Sequence, residues 1–228
     1  MKVRIKFAKN GVMKYIGHLD IMRYFQKCIR KANVDIAYSG GFSPHQIMSF
    51  ASPLGVGLES TGEYFDIELN SGSASEVLHN LNNVMVPGME ILSVKKLPDD
   101  AMNAMASIAA ARYQVYIKSD FEPECCDASK VDAFLAQKEI VITKKTKKSE
   151  IEFDLRPHIF DFKFDGVTFD MTVDASSSGN IKPLMVINEY LKLCNVVCNE
   201  NKYQVVRIET YTNKDEKLVA LDAIGEDF

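Results

Sequence analysis

The hydrophobic period of this chain switches between two residues and about 3.6 in the same order twice, and that alternation limits its fold more than any single motif. Lys2 to Ala8 alternates in the strand period, with Val3, Ile5 and Phe7 on one face and Lys2, Arg4 and Lys6 on the other. After a turn at Asn10 and Gly11, GHLDIMRYFQKCIRKAN places Leu19, Met22, Phe25, Ile29 and Ala32 at helical spacing, opposite a basic face of Arg23, Lys27 and Arg30. Gln46 to Ala51 and GEYFDIELN read as strands, SASEVLHNLNNVM as a serine-capped helix and MEILSVKKL as a closing strand. PDDAMNAMASIAA reads as a linker or short helix, and then the pattern restarts. ARYQVYIK is a strand, DASKVDAFLAQ a helix, HIFDFKF and VTFDMTV two strands joined at the hairpin signal Asp165-Gly166, IKPLMVINEYLKLC a helix and YQVVRIETYT a last strand. An extra hairpin, EIVITKK and EIEFDL, is inserted after the first helix of that half.

Strand, helix, strand, strand, helix, strand, twice over, predicts an α+β protein of tandem duplicated ferredoxin-like (βαββαβ) domains with antiparallel sheets. The expected boundaries are 1–98 for the first domain, 99–110 for a linker and 111–228 for the second domain with its inserted hairpin. In each domain two helices cover one sheet face and leave the other open for the partner half or a ligand. With 228 residues, 46% of them hydrophobic, two cores of about 100 residues each are within reach.

Charge is distributed unevenly. The net charge is -4, yet residues 1 to 50 hold nine Lys and Arg against Asp20 and Asp35, a net of +7, and the remainder carries -11. Such asymmetry points to a polyanion-facing surface in the first half. No apolar run approaches the roughly 18 residues that span a bilayer, and MKVRIKFAKNG lacks the apolar centre of a signal peptide. The expectation is a cytoplasmic protein with no membrane partner. Cys28, Cys125, Cys126, Cys194 and Cys198 form no CxxC pair, so neither a disulfide framework, a zinc knuckle nor an iron–sulfur cluster is expected, and no cofactor or metal is predicted.

Candidate site residues gather in the first half. Between Tyr38 and Ser60, Gly40, Gly41, Gly55 and Gly57 flank one short apolar strand among Ser43, Ser49, Ser52 and Ser60. Glycine permits backbone angles closed to other residues and lets a phosphate approach the amides. His18 opens the basic helix, where the dipole attracts anions, and His45 follows Pro44. Arg23, Lys27 and Arg30 are assigned to backbone phosphates, and Gly40, Gly41, Ser43 and His45 to the lining of a pocket. A second anion-receptive stretch is DASSSGNIKP, where Gly179 and Lys182 lead into a helix with Pro183 in its first turn. KKTKKS at 144 to 149 tops the inserted hairpin and reads as a solvated tip or as a finger for a nucleic-acid backbone.

The run formed by Gly17 to Asp20, Arg23, Tyr38, Ser39, Gly41, Phe42, Pro44, His45, Pro53, Leu54, Gly57, Glu59, Ser60, Gly62 and Glu63 resembles the radical-SAM-linked proteins, a bacterial family of unknown function. The likeness continues through DLRP at 154–157 and SGNIKP at 178–183. Members stand alone or are fused behind a radical S-adenosylmethionine enzyme with a cobalamin-binding-like domain. This chain looks like the stand-alone form and lacks a CxxxCxxC of its own, so the resemblance implies an accessory to a separately encoded radical SAM enzyme. Gln46 departs from the lysine or proline usual after the PH of that pattern. At the level of fold and helix position the chain is also similar to CRISPR-repeat endoribonucleases, in which a histidine and polar neighbours promote attack of a 2′-hydroxyl without metal.

The leading expectation is an RNA-binding or substrate-presenting module that cooperates with a radical enzyme. One alternative is a metal-independent endoribonuclease with His18 as proton-transfer group and Tyr38 or Lys27 supporting the developing charge. The other is a protein-binding adaptor whose open sheet docks the radical enzyme.

Overall fold

Lys2–Lys9 forms the strand its alternation requires, and its two faces are both buried. A computed structural model of the protein describes residues 1–121, 127–145 and 150–228. The chain divides into two units, residues 1–109 together with 207–228, and residues 110–206. The first contains β1 (Lys2–Lys9), α1 (His18–Lys31), β2 (Met48–Phe50), β3 (Glu59–Glu68), α2 (Ala74–Asn82), β4 (Met89–Lys96) and the single turn α3 (Ala104–Ser107). The second contains β5 (Ala110–Ile117), α4 (Val131–Leu135), the hairpin β6 (Val141–Lys145) and β7 (Glu150–Asp154), then β8 (Ile159–Phe164), β9 (Thr168–Asp174) and α5 (Pro183–Leu193). β10 (Tyr203–Lys214) crosses from the second unit to the first at residue 207, and β11 (Lys217–Ala220) returns along it through Asp215 and Glu216, both at positive φ. The architecture is mixed α+β with antiparallel pairing. Among the described residues no helix is long and apolar enough to cross a membrane.

In the first unit the sheet order is β4-β1-β3-β2. Ile5 faces Phe65 and Val3 faces Ile67 across β1 and β3, while Phe50 of β2 faces Phe65 from the other side. Phe7, Phe25, Phe50 and Phe65 form the centre of the core, with Phe25 4.6 Å from Phe65 and 4.8 Å from Phe7. Each such burial contributes about 1.5–3 kcal/mol. Ser73 caps α2, as the serine cluster predicts, and Glu76 returns the bond to complete a reciprocal capping box. The stripe of α1 differs from expectation. Its inward positions are His18, Ile21, Phe25, Cys28, Ile29 and Ala32, and Leu19 is 66% exposed. The His18 ring meets the Phe50 ring edge-on at 5.5 Å, so the imidazole takes the inward place in the first turn and Leu19 turns to solvent.

The other face of this sheet is not open. Arg4, 1% exposed, donates from Nε to Asp66 Oδ1 at 2.8 Å and from Nη2 to Oδ2 at 3.0 Å. Its remaining donors reach Leu221 O and Met102 O, and Asp66 Oδ2 also accepts from the Ala104 amide at 2.7 Å. Residues 102–104, read from sequence as linker or short helix, and the C-terminal residues around Leu221 therefore cover the face expected to stay open for the partner half or a ligand. Gly62 permits the contact between β3 and the end of the chain, because a Cβ there would collide with the backbone of Glu209.

In the second unit β5 pairs with β9 and β9 with β8, giving the order β10-β5-β9-β8 with the first residues of β10. Tyr190 of α5 packs on Phe134, Phe162 and Phe169, and its hydroxyl donates to Asp127 O at 2.7 Å. The hairpin turn follows its sequence signal, with Gly166 at φ 97° and Asp165 Oδ1 accepting from the Val167 and Thr168 amides.

Removing one member of a buried bidentate pair leaves the other charge uncompensated. Asp66→Ala should lower the unfolding free energy by about 3–5 kcal/mol in urea denaturation, and Arg4→Met combined with Asp66→Leu should cost less than Asp66→Ala alone.

Candidate functional site

Nearly half of the positive charge of the first fifty residues is spent inside the fold. Arg4 and Lys9 are buried, Lys6 pairs with Glu209, and Lys14 pairs with Glu59. The exposed remainder is concentrated on α1 at Arg23, Lys27, Arg30 and Lys31, with Lys2 elsewhere on β1. Arg23 touches Asp20 at 3.3 Å, an exposed pair worth about 0–1 kcal/mol and easily exchanged for a ligand anion.

Beside this helix the glycine-rich stretch forms a closed loop. Tyr38 pairs with Gln46, the Ser39 amide donates to His45 O at 2.9 Å, and the His45 amide donates to Ser39 Oγ at 3.1 Å. Ser39 Oγ and His45 Nδ1 lie 2.8 Å apart. Residues 40–44 project from this base, with Phe42 fully solvent-exposed and Tyr38 half exposed. Gly41 has φ 98°, and no heavy atom lies within 4 Å of a Cβ built there or at Gly40. Freedom of φ therefore explains Gly41, and neither glycine is demanded by packing. Gln46, 4% exposed, ties the loop to α1 by donating to Gln26 O at 3.4 Å, and its Oε1 is buried without a partner among the described residues. Gln26 stands three residues after Arg23 and four before Arg30, on the ridge they share. The base of the loop and the cationic ridge are thus neighbours.

His18 is in a different place. It lines a narrow recess between the end of β1 and the first turn of α1, walled by Phe7, Ile16, Ile21, Phe50 and Leu54, whose cavity of about 20 Å³ has room for a single water. Gly40, Gly41, Ser43 and His45 are not among its lining residues, so the expected glycine-lined pocket is instead a protruding loop. Tyr38 faces Gln46, and four residues of extended chain, about 13 Å, separate Gln46 from Phe50 and the His18 ring. Among the residues that share the pocket with His18, Lys9 and Glu63 are the charged ones. Both carry a sequence signal. They continue the inward registers of Val3, Ile5, Phe7 and of Phe65, Ile67, Leu69, where a charge is out of place. Glu63 accepts from Arg207 Nη1 at 2.9 Å, and the same nitrogen donates to Ser52 O at 3.0 Å. Burial pulls the Lys9 ammonium below its usual pKa; Glu63 opposes that shift and Arg207 adds to it.

Gly179 and Lys182 belong to the second unit, where the serine-rich loop closes on an acid of the protein itself. Asp174 Oδ1 accepts from the Ser176 amide at 2.8 Å, Asp174 Oδ2 lies 2.8 Å from His158 Nδ1, and a Cβ at Gly179 would collide with the same carboxylate. The close approach that glycine allows is thus used by Asp174. Lys182 is the N-cap residue of α5 and is exposed. Cys125, Cys126 and the hairpin-tip residues 146–149 lie outside the described residues.

Left-handed backbone at Gly41 and ordinary backbone at Gly40 separate two glycines that look alike in sequence. Gly41→Ala should destabilise the loop by about 1–2 kcal/mol, read as faster amide exchange at Ser39 and His45, and Gly40→Ala should leave exchange there unchanged.

No curated protein matches the chain. Residues 2–183, which include α1, the Tyr38–Gln46 loop and the pocket walls of the first three strands, match the model of a family described as "Uncharacterized protein conserved in bacteria (DUF2344)", and the chain belongs to that family.

Proposed function

We propose that the protein is an RNA-binding, substrate-presenting module that grips single-stranded RNA on α1 and the Tyr38–Gln46 loop and works with a separately encoded radical SAM enzyme. The observation that carries this reading is the fully exposed Phe42 on a loop whose base is bonded to the cationic ridge of α1 at Gln26. Single-stranded nucleic acid is held by cations that follow its phosphates and by aromatic rings on which its bases stack. Arg23, Lys27 and Arg30 supply the first, Phe42 and Tyr38 the second. The net charge of -11 outside the first fifty residues repels RNA from the remaining surface and favours this patch. The radical enzyme as partner rests on the resemblance of the GHLD and YSGGFSPH segments to radical-SAM-linked proteins.

The tandem ferredoxin-like duplication is part of the same reading. Its support is that the strands of each unit run fourth, first, third, second, β4-β1-β3-β2 and β10-β5-β9-β8, the order two copies of one βαββαβ unit would share.

Fluorescence anisotropy with an unstructured RNA oligonucleotide tests the function. Affinity should fall with salt by a slope of about 0.7 per phosphate contact, and replacing Arg23, Lys27 and Arg30 by Gln should reduce that slope by about two. Phe42→Ala should weaken binding by about 1–3 kcal/mol with the slope unchanged. Binding that ignores salt, or that survives loss of Phe42 intact, contradicts the proposal. Cleavage to 2′,3′-cyclic ends that His18→Ala abolishes would favour the ribonuclease reading instead.

A further inference from the structure

β4 in the first unit and β8 in the second are outermost in their strand orders, and an outermost strand keeps a row of amides and carbonyls with no neighbouring strand to meet them. The first unit closes that row on β4. Asn82 Oδ1 accepts from the Ile91 amide at 2.8 Å, its Nδ2 donates to Ile91 O at 2.9 Å, and Lys96 exchanges both backbone bonds with Glu226, at 2.8 and 2.9 Å. β8 has no such cover among the described residues. Its first carbonyl, Ile159 O, accepts from Arg156 Nη1 at 3.2 Å, but beyond the pairing with β9 no hydrogen bond reaches the backbone of Phe162 or Phe164.

The hairpin fixes which groups point to that edge. The Asp165 amide donates to Thr168 O, so these two form a hydrogen-bonded pair, and the pairings of Lys163 with Asp170 and of Asp161 with Thr172 repeat it at every second residue. The backbone groups of Asp161 and Lys163 therefore face β9, and those of Phe162 and Phe164 face away from it. Phe162 turns its ring into the core, so Asp161 and Lys163 lie together on the opposite sheet face, with Lys163 Nζ 2.8 Å from Asp161 Oδ2 and both side chains largely exposed.

This edge is complementary to itself. A second β8 laid antiparallel along it, on a two-fold axis through Phe162, puts Asp161 of each copy opposite Lys163 of the other. Phe162 then makes the hydrogen-bonded pair with its own counterpart, and the charges occupy the non-hydrogen-bonded pairs, where cross-strand side chains come closest. The same face already alternates in sign. Arg112 holds Asp170 by bonds of 2.9 and 2.6 Å, and Asp170 stands opposite Lys163, so Asp161 of a second copy extends plus, minus, plus by one more minus.

We propose that the uncovered edge of β8 is an interface between two copies of this chain, formed by antiparallel pairing of their β8 strands about Phe162 with Asp161 of each copy against Lys163 of the other. A two-fold contact of this kind uses one patch twice and closes on itself. β8 has six residues, which places the contact at the small end of specific interfaces and makes it a concentration-dependent equilibrium between monomer and dimer. The interface is separate from the RNA-binding surface and does not depend on it.

Sedimentation velocity on the full chain over a rising concentration series tests the proposal, and wild type should move from monomer to dimer. Asp161→Lys sets lysine against lysine, and Lys163→Asp sets aspartate against aspartate, so each variant alone should dimerise about tenfold more weakly or worse. An equal mixture of the two variants should recover a mixed dimer, because every contact in it again joins opposite charges. The double exchange, Asp161→Lys with Lys163→Asp, should dimerise as wild type does at unchanged net charge. Both positions are exposed, so these variants keep the fold, and Phe42→Ala should dimerise as wild type does, which keeps this test distinct from that of the RNA reading. A wild type that stays monomeric throughout the series, a dimer that both single variants leave intact, or a loss that neither mixing nor the double exchange repairs overturns the proposal.

Discussion

The buried Arg4–Asp66 pair organises the first unit. A bidentate guanidinium–carboxylate contact uses two of the arginine's donors, and the others must be met by carbonyls that the chain carries to them. Met102 O and Leu221 O fill that requirement, and the Ala104 amide completes Asp66. Residues far apart in sequence are therefore drawn onto one sheet face, which cannot then remain a solvated surface or an open docking plane. A stability gain over an apolar pair is not required for this to matter, since removing one charge alone is what the fold cannot tolerate.

With one face of that sheet closed by polar contacts and the other by the phenylalanine core, function is pushed to the ends and edges. The end of β1 meets the start of α1 at Lys9 and His18, and the connection from α1 to β2 rises as the loop that carries Phe42. The two places differ in kind. The first is a narrow recess where Lys9, Glu63 and His18 stand among apolar walls. The second is a projection with exposed rings and cations, suited to an extended polyanion.

Much of this was legible before any coordinates. The two strand-helix successions, the serine cap of α2, the Asp165-Gly166 hairpin and the basic flank of α1 follow from local periodicity and turn chemistry. Three places differ from the sequence reading, two of them for a nonlocal reason. The face of Arg4 looked open for the partner half or a ligand because alternation cannot reveal what covers a face, and the cover comes from residues about 100 and 217 positions away. Leu19 looked buried because a leucine outranks a histidine in any hydrophobic pattern, yet the ring of Phe50 draws His18 inward. Gly179 looked ready for a phosphate, but the carboxylate it accommodates is Asp174. Lys9 and Glu63, by contrast, were readable and overlooked: charges at inward register positions mark a polar pocket or a strained core, and here they mark the pocket.

The central claim is that α1 and the Tyr38–Gln46 loop form one surface for single-stranded RNA. Photo-crosslinking of a 4-thiouridine oligonucleotide to the wild-type protein, with peptide mapping of the adducts, tests it most directly. Adducts concentrated in residues 18–31 and 38–46, with Phe42 or Tyr38 among the modified side chains, are the predicted result. Adducts confined to residues 110–206, or scattered without preference over the chain, would contradict it.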